Sequence, residues 1–311
     1  MKESDLLRKI GQYTQASRIL HIQEGIKTGL GRGYENSQDI FILNEAQKEK
    51  WGIEEGAIKP IIKAEDIAPF RYKRRKQWVI YSKNAGFKEK FPNAMTYLRT
   101  HKRVLERRGA VWIFDKQWWE VEDPLNEERF KKTKIITPLI TRRNSFALDQ
   151  EGNYILDDCV LLCPKVINAV ETHLNGRQET TSSHDETSKL EKLLEMEGLL
   201  YYLLGLFNSQ VSEWYFQHQV KRISYRKGTK GKFYWFRPKY IGKCPIPFPT
   251  REEQEKVITL VKNLVNIGRT IQSTTERKKF EGLKSNLNEV IFEVFDLEEK
   301  EKGILQASLF G

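Results

Sequence analysis

The sequence predicts an α+β protein: a mixed β-sheet recognition body followed by a C-terminal helical hairpin. Three observations support this. Short segments rich in β-branched and aromatic residues, such as QWVIYSK and KIITPLIT, recur through the first half of the chain. From Leu190 to His218 the pattern is helical and apolar on several faces, as expected of a core helix. Near the C-terminus, Val257, Val261, Leu264 and Val265 form one apolar stripe. Phe280, Leu283, Leu287, Val290, Val294 and Leu297 then repeat at alternating spacings of three and four, a coiled-coil-like seam.

In chain order, SRILHIQEGIKTGLGRGY begins as a strand and enters a Gly-rich turn. DIFIL is a strand, EAQKEKWG a short helix, and IKPIIKAEDIAPF an extended segment punctuated by proline. QWVIYSK is a strand. FPNAMTYLRTHKRVLERRG reads as one helix, opened by Pro92 and ended by Gly109. VWIF, KIITPLIT, FALD and YILDDCVLLC read as strands, with DQEGN as a hairpin-type turn. Residues 174–189 are polar and almost free of aliphatic side chains, which suits a loop. The core helix that follows has a break expected at Gly205. KRISYRKGTKGKFYWFRPKYIGKCPIPFP reads as a flexible loop closed by an extended, proline-rich stretch. Thr250 and Glu253 form a capping-box pattern at the start of the hairpin. The division is therefore a recognition domain over 1–249 and a helical hairpin over 250–311.

The chain has 311 residues, of which 39% are hydrophobic. That is room for roughly two domains. No apolar run approaches the roughly 18 residues of a membrane span; the longest is Leu199 to Phe207. The opening MKESDLLRKI has no apolar core of a signal peptide, so the cytoplasm is the expected compartment. Three cysteines, Cys159, Cys163 and Cys244, are too few for a disulfide framework and read as buried free thiols. The net charge of +11 is unevenly spread. Arg71 to Arg108 holds 13 Lys and Arg against only Glu89 and Glu106, and Lys221 to Lys243 holds nine and no acid. Charge concentrated this way points to a polyanion-facing surface. A solvated basic face with no partner is the alternative.

The sequence holds no recognisable catalytic set. Gly29-Leu30-Gly31-Arg32-Gly33 superficially resembles a cofactor loop but is followed by a polar stretch rather than a helix, so a structural turn is expected. The Pro-Pro-aromatic motif of DNA amino-methyltransferases is absent, since none of the ten prolines are adjacent. Glu298-Glu299-Lys300 matches a nuclease pattern only at a charged helix end. No metal ligand set is visible. What remains is binding chemistry, in three clusters. The first is Arg71, Lys73, Arg74, Arg75 and Lys76, beside a strand. The second interleaves Lys221, Arg222, Arg226, Lys227, Lys230 and Lys232 with Tyr225, Phe233, Tyr234, Trp235 and Phe236. The third is Arg142, Arg143 and Asn144, whose side-chain types suit guanine and adenine edges. These fourteen basic and amide residues are the expected DNA-binding set.

Several stretches resemble a known family. GIKTGLGRGYENSQDIFIL followed by IKPIIKAEDIAPF is similar to the opening of the TaqI-like C-terminal specificity domain of N6-adenine DNA methyltransferases and fused restriction–modification enzymes. NSFALDQEGNYILDDCVLLCP, LLYYLLGLFNSQVSEWYF and YIGKCPIPFPTREEQEKV follow in the family's order. The last is also similar to type I specificity subunits. Leu30 to Gly33 departs from the pattern, where the family more often has Asn and an apolar residue. The resemblance implies sequence-specific recognition of duplex DNA for a restriction–modification or anti-phage system. Its methyltransferase catalytic subunit, lacking here, would carry S-adenosylmethionine; no cofactor is expected on this chain and no membrane contact. The hairpin would be the docking element for that subunit. The alternatives are a diverged S-adenosylmethionine-dependent methyltransferase or nuclease fragment, and an RNA-binding or scaffold protein.

Overall fold

The computed structural model describes residues 2–30, 40–83, 86–165, 191–223 except 194 and 196, and 233–310. Residues 31–33 of the Gly-rich segment, the polar 174–189 loop, and Tyr225, Arg226, Lys227, Lys230 and Lys232 lie outside the described residues.

The chain opens with helix α1 (Glu3–Gly11), strand β1 (Thr14–Gln15), the single turn α2 (Ala16–Ile19) and β2 (Leu20–Glu24). Next come β3 (Ile42–Asn44), α3 (Glu45–Trp51), β4 (Ile58–Ile62), β5 (Ile67–Ala68), β6 (Arg71–Tyr72) and β7 (Gln77–Ile80). Helices α4 (Phe87–Lys90), α5 (Pro92–Thr100), α6 (Lys102–Leu105), α7 (Gly109–Phe114) and α8 (Glu127–Lys131) lead into the central strands. Those are β8 (Lys134–Pro138), β9 (Ile140–Thr141), β10 (Ala147–Asp149), β11 (Tyr154–Ile155) and β12 (Cys159–Pro164). The last part comprises α9 (Leu199–Phe207), α10 (Gln210–Gln219), β13 (Arg222–Ile223), β14 (Phe233–Trp235), α11 (Pro238–Ile241) and β15 (Pro245–Ile246). Three helices close the chain: α12 (Arg251–Thr270), α13 (Thr274–Val294) and α14 (Glu299–Phe310).

The organising element is a four-stranded antiparallel sheet, ordered β10-β8-β12-β2. It is buried on both faces, which explains why CVLLC carries no polar alternation. Successive side chains point to opposite faces. Leu20, Ile135, Leu148, Val160 and Leu162 therefore enter one hydrophobic core, with α9, α10, α12 and α13. Ile136, Ala147, Cys159, Leu161 and Cys163 enter a second core with β3, β4, β7 and α5. The register agrees with this split, pairing Leu162 with Ile135 and Leu161 with Ile136. A second four-stranded sheet, β11-β4-β7-β3, is mixed: β11 runs parallel to β4 and the other pairs are antiparallel.

One buried ion pair ties the central sheet together. Lys134 Nζ, fully buried, bonds Asp149 and donates to Phe130 O at 2.6 Å. Asp149 also accepts from Asn153 Nδ2 at 2.9 Å and Glu151 N at 3.0 Å, so the charges have the extra partners that burial demands.

Several sequence expectations are corrected. VWIF is helical, within α7, and Gly109 starts that helix instead of ending the preceding one. The predicted long helix is broken into α5 and α6 at His101. Short apolar runs do not distinguish strand from helix by periodicity, and among the described residues no strand pairs with VWIF. DQEGN turns through Gly152 at φ 72°, but the strands on either side join different sheets, so it is no hairpin. The break in the core helix falls at Asn208 and Ser209, where Ser209 accepts from Ser212 N and caps α10. Gly205 is a packing position: a Cβ there would lie 2.8 Å from Val261 Cγ2 on α12. KFYWF contributes strand β14. The seam over Phe280 to Val294 ends before Leu297, and a third helix, α14, follows. The hairpin's apolar stripe is buried in the first core, so only its polar outer face is open to a partner.

Candidate nucleic-acid interface

The loop between β9 and β10 is held from both sides by amides. Asn144 is 4% exposed and donates to Phe207 O at 2.6 Å. Asn208, in a turn between two helices, makes a reciprocal pair with Phe146, 62 residues away. Its Oδ1 accepts from Phe146 N at 3.0 Å and its Nδ2 donates to Phe146 O at 2.9 Å. The Phe146 ring stacks on Phe207 at 5.0 Å and lies 5.7 Å from Phe236. Thr141 closes the loop by donating its hydroxyl to Arg143 O at 2.8 Å. Between these fixed points Arg142 and Arg143 project outward, both exposed. Asn144 thus differs from its expected role at a base edge: its Nδ2 donates within the fold, and burial removes the side chain from any groove.

The described part of the second cluster meets the third in a three-stranded sheet, β13-β14-β9. Tyr234 pairs with Thr141 on one side and Arg222 on the other. The cations are seated on aromatic faces: Arg142 lies 5.0 Å from the Phe233 ring centroid and Arg222 lies 5.2 Å from that of Tyr234. Arg222 Nη2 also donates to the Tyr234 hydroxyl at 3.1 Å. Such seating lowers the freedom an exposed guanidinium loses on binding an anion. Arg237 stacks 3.7 Å above Trp235; it lies in the second basic segment but outside the expected binding set. Lys221 and Arg222 are exposed at the sheet's edge.

Beside the loop is a 570 Å³ cleft, lined by Arg142, Arg143, Asn208, Glu213, Lys284 and Asn288 among others. Burial holds the Glu213 carboxyl above its ordinary range, an effect the charges of Arg143 and Lys284 offset only in part. Pro69, next to the first cluster, reaches the same cleft.

The rest of the first cluster behaves differently. Arg71 and Lys73 are exposed and carry no ion pair among the described residues. Arg74 pairs with Glu151 at 3.4 Å, Arg75 with Asp66 at 2.6 Å and Glu65 at 3.0 Å, and Lys76 with Glu45 at 2.6 Å. These last three line a separate 370 Å³ cleft with Trp78. Among the described residues the structure therefore brings Lys221 and Arg222 of the second cluster together with the third, sets the start of the first nearby, and turns its end away. Among the described residues no group of three His, Cys, Asp or Glu could hold a metal ion. No described helix is long and apolar enough to cross a membrane.

Comparison with known proteins gives the architecture a setting. No family profile matches the chain. Over 278 residues it is 22% identical to the type II methyltransferase M.BanIII of Aneurinibacillus aneurinilyticus. The match covers 86% of this chain and 41% of that protein. In fold it is similar to the type IIL restriction–modification enzyme MmeI, solved in complex with DNA, at a TM-score of 0.61 and 7% identity. That match covers 93% of this chain and 35% of MmeI. The chain thus spans well under half the length of each of these proteins.

Proposed function

We propose that this chain is a sequence-reading part of a site-specific DNA methyltransferase or restriction–modification system, binding duplex DNA while a separate catalytic part acts on the base. The observation that carries the reading is the convergence of Arg142, Arg143, Lys221 and Arg222 on one three-stranded sheet and its rigid loop. Four cations on one sheet and its hydrogen-bonded loop, two of them (Arg142 and Arg222) seated on aromatic faces, suit phosphate contact, and Arg is also the side chain best able to read guanine bidentately. Similarity to M.BanIII and to MmeI supports the same reading, as does the resemblance to TaqI-like specificity domains. Arg142 and Arg143 are the base readers in this proposal. Lys221, Arg222, Arg71 and Lys73 neutralise phosphates, joined by Arg226, Lys227, Lys230 and Lys232. Arg74 and Lys76 would exchange surface carboxylates for phosphates, at small cost because exposed ion pairs are weak; Arg75 would reach a phosphate only while keeping its pair with the buried Asp66 carboxylate. S-adenosylmethionine belongs to the catalytic part, and the cytoplasm is the working compartment.

The test is fluorescence anisotropy with duplexes selected from a random-sequence pool, repeated across salt concentrations. Affinity should fall steeply with salt, each phosphate contact adding about 0.9 to the slope of log K against log salt. Arg142→Ala should relax sequence preference. A chain that selects no sequence, or binds with no salt dependence, overturns the proposal.

A further inference from the structure

The most conspicuous surface feature lies outside that sheet. Trp112, Ile113 and Phe114 stand 79%, 73% and 56% exposed at the end of α7. Three contiguous large apolar side chains in water are unlike the scattered single ones that soluble surfaces tolerate. Their base is unusually firm. Arg108 is fully buried, and its guanidinium donates to Leu105 O at 3.1 Å and to Trp118 O and Glu120 O at 2.8 Å each, as well as to Thr28 O. The tip's one polar side-chain atom, Trp112 Nε1, is satisfied within the chain by Glu106 O at 3.0 Å. What faces outward is apolar, rigid and indifferent to hydrogen-bonding partners.

The surroundings identify the occupant by charge. Arg99, Lys102, Arg103 and Arg107 are all exposed on α5, α6 and the turn before α7, against Glu106 and Asp115. Lys102 pairs with Glu106, but Arg99, Arg103 and Arg107 leave the helices leading to the tip net basic, and a protein partner with a simple apolar face would gain nothing from that charge. A duplex presents both features together: stacked apolar base faces, flanked by phosphates. We infer that the α6–α7 tip is a wedge that enters a base step of bound duplex DNA, with Trp112, Ile113 and Phe114 against the bases and Arg99 and Arg103 on the flanking phosphates. Apolar wedges between base steps are a general means of kinking DNA, and they need rigidity so that the cost of unstacking is not compounded by ordering the wedge. The inference rests on the proposed duplex binding and adds a second contact element to it.

The test uses the full chain and a duplex it selects from a random pool, carrying 2-aminopurine at successive positions. This base brightens when unstacked. Wild type should raise the fluorescence at one step. The triple variant Trp112→Ser/Ile113→Ser/Phe114→Ser should abolish that rise and bind about tenfold or more weakly, as expected from stacking contributions of this size. Its salt slope should stay at the wild-type value, because every phosphate-facing cation is kept. Arg99→Ala/Arg103→Ala should do the opposite, lowering the slope by about 0.9 for each phosphate no longer neutralised. All the side chains replaced are exposed, and matching circular dichroism melts confirm the fold. If the triple variant binds as tightly as wild type with the same 2-aminopurine signal, the wedge is overturned while duplex binding stands. If wild type selects no duplex, both readings fall together.

Discussion

Asn208 joins the two halves of the candidate interface, and removing its amide measures what that joint is worth. In Asn208→Ala three hydrogen bonds vanish: Phe146 N to Oδ1, and Nδ2 to Phe146 O and Leu204 O, at 3.0, 2.9 and 3.1 Å. The two carbonyls keep other donors, Phe70 N at 2.8 Å and Asn208 N at 3.2 Å. The Phe146 N–H keeps none among the described residues, and its side chain is fully buried. Two bonds removed with their acceptors still partnered cost about 0.5–1.5 kcal/mol each, and one orphaned donor about 1–3 kcal/mol. The sum is about 2–6 kcal/mol, to be read from urea unfolding followed by tryptophan fluorescence. Asn208→Asp is the sharper variant. It replaces the donor with a carboxylate oxygen facing two carbonyls, which raises the folded-state pKa of the new group. Its stability should therefore be greatest at low pH and fall as pH rises above the unfolded carboxylate value, while Asn208→Ala shows no such dependence. An Asn208→Ala protein within about 0.5 kcal/mol of wild type would refute the claim that this amide clamps the loop.

Other outcomes follow from the same structure. Lys134→Met should destabilise the chain by about 3–5 kcal/mol in the same urea assay, because it strands Asp149 as an unpaired buried charge. Gly25→Ala should lower soluble yield and the thermal midpoint sharply: a Cβ there would overlap the carbonyl oxygens of Ile155 and Leu156, and backbone cannot step aside cheaply. All three thiols should resist a disulfide reagent such as DTNB at neutral pH in the native state and react after denaturation. Burial raises each of them, Cys244 to about 12, so native thiolate is scarce as well as inaccessible.

What could be read from the sequence was what is local. The strand at QWVIYSK, the Thr250–Glu253 capping box and the Val257, Val261, Leu264 stripe depend on neighbours a few residues apart. VWIF failed because four apolar residues satisfy either period, and the deciding contact, Arg108 under the turn, reaches back 80 residues to Thr28. Gly205 looked like a break because glycine lowers helix propensity, yet its small size answers the close approach of α12. Composition identified basic clusters without saying which share a surface. Arg142 and Arg222 share a surface because Thr141, the neighbour of Arg142, and Arg222 both pair with Tyr234 in one ladder, which no spacing rule encodes. Nor can residue type separate Asn144 from its neighbours, since an amide suits a base edge and a buried carbonyl equally well.

Three stretches singled out in the sequence are physically joined. NSFALD and LFNSQ touch through Asn144 to Phe207 O and Asn208 to Phe146, and the helix bearing LFNSQ touches CPIPFP through Tyr202, whose hydroxyl donates to Pro247 O at 2.9 Å. Each contact joins a side chain to a backbone group, so it survives only if that side chain is kept, whatever surrounds it. Arg142 and Arg143 sit between these fixed points with exposed side chains, and what they give the frame's hydrogen bonding is the Arg143 carbonyl. The frame and the outward-facing residues are therefore separable. Arg142→Gln should leave unfolding free energy within about 0.5 kcal/mol of wild type, as for other exposed substitutions, while changing which duplexes the chain selects. A fold built this way can exchange what it reads without renegotiating how it stands. An Arg142→Gln chain that lost stability instead would mean that frame and surface are one structure.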